Sequence, residues 1–390
     1  MRTAGLADGG DGSTVRGSHQ RWRAPIALLA AVAVVVGVAT IWRVAAARWV
    51  GNRVFAEPTG TVLVLNDAPG GVIAVDLDRR IVARVAVQGQ RQGDVQWPLL
   101  LVGDSIVVGW DGIWAQPLSG GTSHLLGQAT IALPASQPDL VWLVTDPVTP
   151  GDAASVSEVD QAGTVILQGL GMVGYETALI AGIPGGLAYD SPAGVVLWDL
   201  ATQRVIKQLG DGPTAHVLGT GGDQVVWCES SCRRLHITSL SGGDRVVSVP
   251  RGEAGFDSDA TFSPDQRLVA IHAGNDGGEG RLVLIDAVTG QLRWVSQEQL
   301  IGGAFIAWSP SGSKLFAAAP ALNQRQTLVD MYRLTSNRAE VASLPIDPPG
   351  AGLLAVSAGH TPALEAPQLG PSQACQEPPD GASGACGFRF

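Results

Sequence analysis

From residue 59 onward, apolar positions come in short runs of four to eight residues, rich in Val, Ile and Leu. Gly, Pro, Asp and Ser cut these runs apart, and no sustained three-and-four spacing marks a long amphipathic helix. Short β-branched runs between turn formers predict strands. One arrangement recurs: an apolar run, a polar turn, then a second apolar run. The turns read VDLDRR, QPLSGG, VDQAGT, WDLATQ, TSLSGG, IDAVTG and YRLTSN. Their third residues are Leu77, Leu118, Gln161, Leu200, Leu240, Ala287 and Leu334, at spacings of 41, 43, 39, 40, 47 and 47. A repeat of about 40–47 residues, each unit holding four short strands, predicts the blades of a β-propeller.

The last two units show the pattern most openly. ATFSPD, QRLVAIHAG, RLVLIDAV and GQLRWVS are followed by GAFIAWSPS, SKLFAAAP, TLVDMYRL and AEVASLP. Pro264 and Pro310 take the second position of a turn, where a fixed φ suits type I geometry. The first unit offers only three strands, TVLVL, GVIAVDL and RIVARVAV, while GLLAVSAG at 352–359 has no unit of its own. Set beside the first unit, it supplies the missing inner strand and leaves no open sheet edge. The chain is therefore expected to be all-β. The architecture is a seven-bladed β-propeller over residues 59–359, closed by a C-terminal strand completing blade one and preceded by one transmembrane helix.

The SPD and SPS elements resemble the repeats of TolB-type proteins, and VVLWDLAT resembles the Trp–Asp hairpin of WD-repeat proteins. LIDAVTGQLRW is similar to a repeat of pyrroloquinoline-quinone-type propellers. These short resemblances imply the propeller fold and a broad superfamily. They imply no substrate, because one fold hosts many functions.

APIALLAAVAVVVGVATIW, residues 24–42, runs for 19 residues without a charge. As a helix it extends ~28 Å, close to the hydrocarbon thickness of a bilayer. Trp22, Trp42 and Trp49 stand where interfacial aromatics stand, and arginines close both ends. The alternative is a cleaved signal peptide with Ala45–Ala47 as its cleavage site. The apolar run exceeds the usual ~7–15 residues, however, and Arg43 interrupts the approach. Arg16, Arg21 and Arg23 balance Arg43, Arg48 and Arg53, so flanking charge sets no orientation. Paired cysteines and a large acidic C-terminal body favour an outside location for that body. The expected organisation is a cytoplasmic tail (1–23), a transmembrane helix (24–42), a linker (43–58), the propeller (59–359) and a Pro/Gly-rich tail (360–390). The protein is then single-pass in the cell membrane, with its propeller outside.

Composition agrees with many strands and turns: 45% of residues are hydrophobic, only 15% are charged, and 51 are Gly. Seven Arg and two Asp fall within residues 1–53, whereas the remainder holds 18 basic and 33 acidic residues. So acidic a body excludes nucleic acid as a partner, because neutralising phosphates needs clustered Lys and Arg. Proteins of the cell envelope are the expected partners.

In a propeller, the loops joining second to third strands share one face with those leading to the next blade. Six of the seven second-to-third loops carry a carboxylate: Asp67, Asp111, Asp146, Asp190, Glu229, and Asp276 with Glu279. Asp suits turns for local reasons. As a functional pattern, the rim predicts docking of a basic partner. Asp257, Asp259, Asp276 and Glu279 of blade six offer hard oxygens of the kind Ca2+ takes, although their spacing does not match the helix–loop–helix calcium loop. No other cofactor is suggested.

The six His have no zinc-site spacing, no G-x-S-x-G occurs, and Ser105 in GDSI falls in a predicted turn. Scattered residues can still meet in a channel. Two alternatives therefore stand beside a non-enzymatic binding scaffold. One is a hydrolase or oxidoreductase with a small substrate in the central channel. The other is a cell-wall glycan-binding module with Trp110 and Trp114 as platforms. The four cysteines form two close pairs, expected as disulfides in an exported chain. Cys228 and Cys232 are placed at facing positions across a hairpin tip, and Cys375 and Cys386 bracket QEPPDGASGA. A zinc site wants further ligands, and a redox role favours C-x-x-C at a helix start.

Overall fold

Runs such as Leu140–Thr145 are buried at nearly every position, because both faces of the sheet they join are covered. The computed structural model describes residues 59–357, except for 68–70, 80, 86–98, 111, 119–121, 146–152, 172–179, 257–259, 275–278, 297–299, 302–304, 321–326, 335–338 and 347–352. The expected tail, transmembrane helix and linker (1–58), and the C-terminal tail with Cys375 and Cys386, lie outside the described residues. Among the described residues, no helix is long and apolar enough to cross a membrane.

Every described element is a strand, and each sheet is an antiparallel meander. The first sheet begins with β1 (Thr61–Asp67), β2 (Gly71–Asp76) and β3 (Ile81–Val85). The second holds β4 (Leu100–Val102), β5 (Ser105–Trp110), β6 (Gly112–Pro117) and β7 (His124–Gly127). The third holds β8 (Ile131–Pro134), β9 (Leu140–Thr145), β10 (Ala154–Asp160) and β11 (Val165–Gly171). The fourth holds β12 (Ile180–Ile183), β13 (Gly186–Ser191), β14 (Gly194–Asp199) and β15 (Arg204–Leu209). The fifth holds β16 (Ala215–Gly221), β17 (Gln224–Glu229), β18 (Arg234–Ser239) and β19 (Asp244–Ser248).

The sixth sheet contains β20 (Gly255–Phe256), β21 (Thr261–Phe262), β22 (Leu268–Gly274), β23 (Glu279–Asp286), β24 (Leu292–Val295) and β25 (Leu300–Ile301). The seventh holds β26 (Phe305–Trp308), β27 (Lys314–Pro320), β28 (Thr327–Leu334) and β29 (Ala339–Ile346). The last strand, β30 (Leu353–Ser357), returns to the first sheet and pairs with β1, Val62 opposite Val356 and Leu65 opposite Leu353. This is the closing strand that the sequence assigns to blade one.

The fold is an all-β propeller, with one correction to the expected blade pattern. Six sheets have the four-stranded form, and the sixth in chain order has six strands instead. Buried apolar clusters join consecutive sheets. One links Leu63, Ile73 and Val75 of the first sheet to Phe316, Val329 and Met331 of the seventh. Others follow around the chain, such as Trp142, Val144 and Val156 against Leu187, Tyr189 and Trp198 between the third and fourth sheets.

The recurring turn has a physical basis. Asp76, Asp160, Asp199 and Asp286 each accept backbone N–H bonds from residues two to four positions on, at 2.6–3.0 Å. These are Asx turns, which preset the hairpin. The next residue points its amide the other way. Leu118, Leu200, Leu240, Ala287 and Leu334 each donate to a carbonyl of the preceding hairpin turn, at 2.7–3.3 Å, and Leu77 donates to the Thr61 carbonyl at the start of β1 (3.3 Å). The repeat marker therefore ties together two turns in five of the sheets, and in the first it ties the turn to the start of β1.

Candidate functional site

The irregular sixth sheet gathers the features that the others lack. Its inner edge is two fragments on one partner: β20 lies opposite Gly274 and Ala273, and β21 lies opposite Ala270 and Val269. Ile271 and His272 thus face the gap between them. Its outer edge breaks likewise, with β24 opposite residues 283–285 and β25 opposite Glu279 and Gly280. Arg281 and Leu282 face that second gap, and Leu282 is the register partner of His272. The two breaks therefore line up across the sheet. Ser296 compensates at the outer one: its amide donates to the Leu282 carbonyl (2.8 Å), and its Oγ accepts from the Leu282 amide (3.1 Å).

Burial brings ionisable groups to this line. Alternation along β22 puts Ile271 and Ala273 against the fifth sheet, so His272 shares the opposite face with Ala270. On β28, Val329 and Met331 face the first sheet, so Asp330 and Tyr332 share the face toward the sixth. His272 (0% exposed), Asp330 (4%) and Tyr332 (0%) thus lie in one inter-sheet layer otherwise filled by Leu282, Leu315 and Trp308. A Cβ on Gly280 would stand 2.7 Å from His272 Cε1 and 2.3 Å from the Ala273 carbonyl, so only glycine lets β23 approach there. Beside the outer break, Arg281 forms an ion pair with Glu253 at 3.4 Å.

The predicted rim residues fare unevenly. Asp111, Asp146 and Asp276 lie outside the described residues, and Asp67 ends β1. Asp190, at the end of β13, accepts from the Val217 amide (2.7 Å) and meets His216 Nδ1 (2.7 Å), tying the fourth sheet to the fifth. Glu229, at the end of β17, pairs with Arg234 at 3.5 Å. Asp190 therefore braces the seam between two sheets, whereas the Glu229–Arg234 pair is exposed. Glu279 opens β23 and is exposed. Of the candidate calcium ligands, Asp257, Asp259 and Asp276 lie outside the described residues. The first two fall, in sequence, between β20 and β21. Among the described residues, no group of three or more His, Cys, Asp or Glu is placed to hold a metal.

Ser105 is no turn residue: it opens β5 and is buried, opposite Pro117 and Val102. Trp110 ends β5, and Trp114 on β6 is half-buried. The Cys228–Cys232 disulfide is present, with Cα atoms 4.9 Å apart, but not as expected across facing strand positions. Cys228 faces Leu235 in the β17–β18 register, and Cys232 sits within the turn at φ 49°.

A second polar network braces the fifth sheet. Trp227 Nε1 donates to Thr238 Oγ1 (2.9 Å), which donates to Asp244 (2.7 Å), and Asp244 holds His236 Nδ1 (2.8 Å). The His236 ring stacks on Trp227 at 4.1 Å, and its Nε2 is enclosed without a partner. With that nitrogen enclosed, the His236 imidazole presents no free ring nitrogen to solvent, while the Asp244 side chain is 42% exposed.

Sequence reasoning passed over His272 and Asp330 because single polar residues inside apolar strands carry no motif. One signal was present: the spacing before Ala287 is 47 residues, against 39–43 in the four preceding intervals.

No protein-family model matches the chain, and no curated protein sequence does. Among solved structures, a putative 6-phosphogluconolactonase from Bacteroides fragilis is similar with a TM-score of 0.50 and 11% identity, covering 76% of this chain and 98% of that one. TolB from Acinetobacter baumannii is similar at 0.42 and 12% identity, covering 76% and 82% respectively. Apo AztD from Citrobacter koseri is similar at 0.45 and 13%, covering 77% and 87%. At such identities the likeness is one of fold alone.

Proposed function

We propose that the protein is a membrane-anchored, extracytoplasmic binding scaffold whose propeller docks proteins of the cell envelope beside the broken sixth sheet. The paired breaks at the His272–Leu282 row carry this reading. Interrupted strands release backbone and loop residues from the ladder, and binding residues concentrate on such segments of a rigid frame. In this reading the six-stranded sheet is a blade with split inner and outer strands, giving seven blades in all. The sequence at 257–259 and 275–279 supplies carboxylates for a basic partner, with the charge also speeding encounter. The apolar segment 24–42 supplies the anchor, nucleic acid is no partner, and no cofactor is required; a Ca2+ ion on the same carboxylates is the weaker alternative.

Crosslinking in intact cells tests this reading. The wild-type chain should capture a stoichiometric protein partner, and the Asp276→Asn/Glu279→Gln chain should capture it less, with a flatter salt dependence. Equal capture by both at every salt concentration overturns the acidic-rim reading.

Buried His272 and Asp330 favour a second reading, an enzyme acting on a small substrate. The similar Bacteroides fragilis structure, described as a putative 6-phosphogluconolactonase, makes a sugar lactone a reasonable first probe. Turnover by the full chain that falls at least about 100-fold in His272→Gln supports it. Equal turnover in both chains counts against it.

A further inference from the structure

We propose that the Cys228–Cys232 disulfide is a redox-sensitive clamp that holds β20 in place beside the break in the sixth sheet. Cys228 is fixed by its own sheet, fully buried on β17 between His216 and Leu235. Cys232 belongs to a turn that ordinary backbone preference opposes. Ser230 (φ 33°) and Cys232 (φ 49°) are two of the four non-glycine residues with positive φ among the described residues. A non-glycine residue stays in that region only where its surroundings enforce it.

That turn is bonded both within its own sheet and to the neighbouring one. The Ser230 amide donates to the Thr214 carbonyl (2.6 Å), and the Cys232 amide donates to Glu229 (2.8 Å). The Cys232 carbonyl accepts from the Phe256 amide (3.0 Å), and Phe256 is the last residue of β20. A Cβ on Gly255 would lie 2.6 Å from the Ser231 carbonyl, so turn and strand touch backbone to backbone. Only two residues of β20 pair with β22, and the gap facing Ile271 and His272 follows directly. The turn is therefore a principal support of this fragment.

An external dithiol reductant would break the Sγ–Sγ bond, delivering two electrons and two protons to the cysteines and leaving as its own disulfide. Freed of the tie, Ser230 and Cys232 relax toward ordinary φ, and the Cys232 carbonyl turns away. The buried Phe256 amide then loses its acceptor, which destabilises β20 where it stands. This is a mechanical tie, distinct from the catalytic chemistry of a C-x-x-C site. Any consequence for partner binding rests on the docking reading above; the clamp itself does not.

Amide hydrogen exchange on the full chain, with Cys375→Ser and Cys386→Ser so that one pair remains, tests the clamp. On reduction, protection at Ser230 and Phe256 should fall by roughly ten-fold or more, while Ile271 and Val283 keep theirs. Gly255→Ala, with the disulfide intact, should reproduce the loss at Phe256 by pushing the turn away. Unchanged Phe256 protection in chains shown by mass to be reduced overturns the proposal. So does equal loss across β22 and β23, which would make the bond a staple of the whole fold. Partner capture in the same two redox states separates the readings. Capture that follows Phe256 protection couples clamp to docking, whereas lost protection with constant capture refutes the coupling and leaves the clamp standing.

Discussion

Asp286 shows how one side chain can fix both a turn and a pH dependence. Its Oδ1 accepts from the Val288 and Thr289 amides, and Arg293 donates to Oδ2 through Nε (3.1 Å) and a second nitrogen. Burial pushes the carboxyl up, but the Arg293 and Thr289 bonds and the Arg293 charge outweigh it, and the pKa falls to about 2. A folded-state pKa below the unfolded value near ~3.9 contributes stability that is complete above that value and is lost as pH falls toward 2. With Arg293 half-exposed and partly screened, Asp286→Asn should cost about 2 kcal/mol at neutral pH. In urea titrations the gap between the two proteins should close between about pH 4 and pH 2. A gap that is constant with pH would mean that the carboxylate's charge contributes nothing.

Gly182 is a residue of the opposite kind, important for what it lacks. A Cβ there would lie 2.4 Å from both the Pro134 carbonyl and Trp142 Cδ1, with Gly182 and Trp142 themselves buried between the third and fourth sheets. Gly182→Ala must push the two sheets apart, at a cost of about 2–3 kcal/mol. Thermal unfolding should show the loss, and an unchanged midpoint would mean that the seam yields at no cost.

Among elements, what was legible in the sequence is what the backbone needs residue by residue. The Asx turns announce themselves because a carboxylate must stand at a set place before the hairpin, and Asp76, Asp199 and Asp286 do so. The closing strand was legible because Leu353–Ser357 had no other partner in its own stretch of chain. The split strands were not, since a break depends on which neighbour takes over the freed backbone bonds. Ser296, a lone polar residue near the end of an apolar run, does this at the outer gap. Outer-strand bulges escaped for a similar reason. Registers shift opposite Leu126, Ile166, Ile206 and Arg293, the extra residues on four outer strands. They bend edges that would otherwise offer exposed Val165, Ile166, Val205 and Ile206 to another chain. Ser296→Ala leaves the buried Leu282 amide without its acceptor, which should cost about 1–2 kcal/mol. Hydrogen exchange should localise the effect to Leu282 and leave Ile237 on β18 as protected as before; a uniform increase would refute a local role.

At the scale of the molecule, stability rests on closure, because each sheet depends on both neighbours for a covered face. The first sheet is completed from the far end of the chain: β30 pairs five residues with β1. The seventh sheet then packs Phe316 and Met331 against Leu63 and Ile73. Near the start of β1, Lys314 Nζ donates to the Thr59 carbonyl at 3.4 Å, and Asp78 accepts from the Thr59 and Gly60 amides. Ending the chain after residue 350 removes β30 and opens the Thr61–Leu65 edge to water and to other chains. That chain should melt well below the parent and associate with rising concentration in size-exclusion runs. Ending it after residue 359 keeps β30 and removes only the Pro/Gly-rich tail, and should leave both the melting point and the elution volume unchanged. Equal behaviour of the two truncations would show that the ring holds without its closing strand. Loss of stability in both would show that the tail itself is part of the packed body.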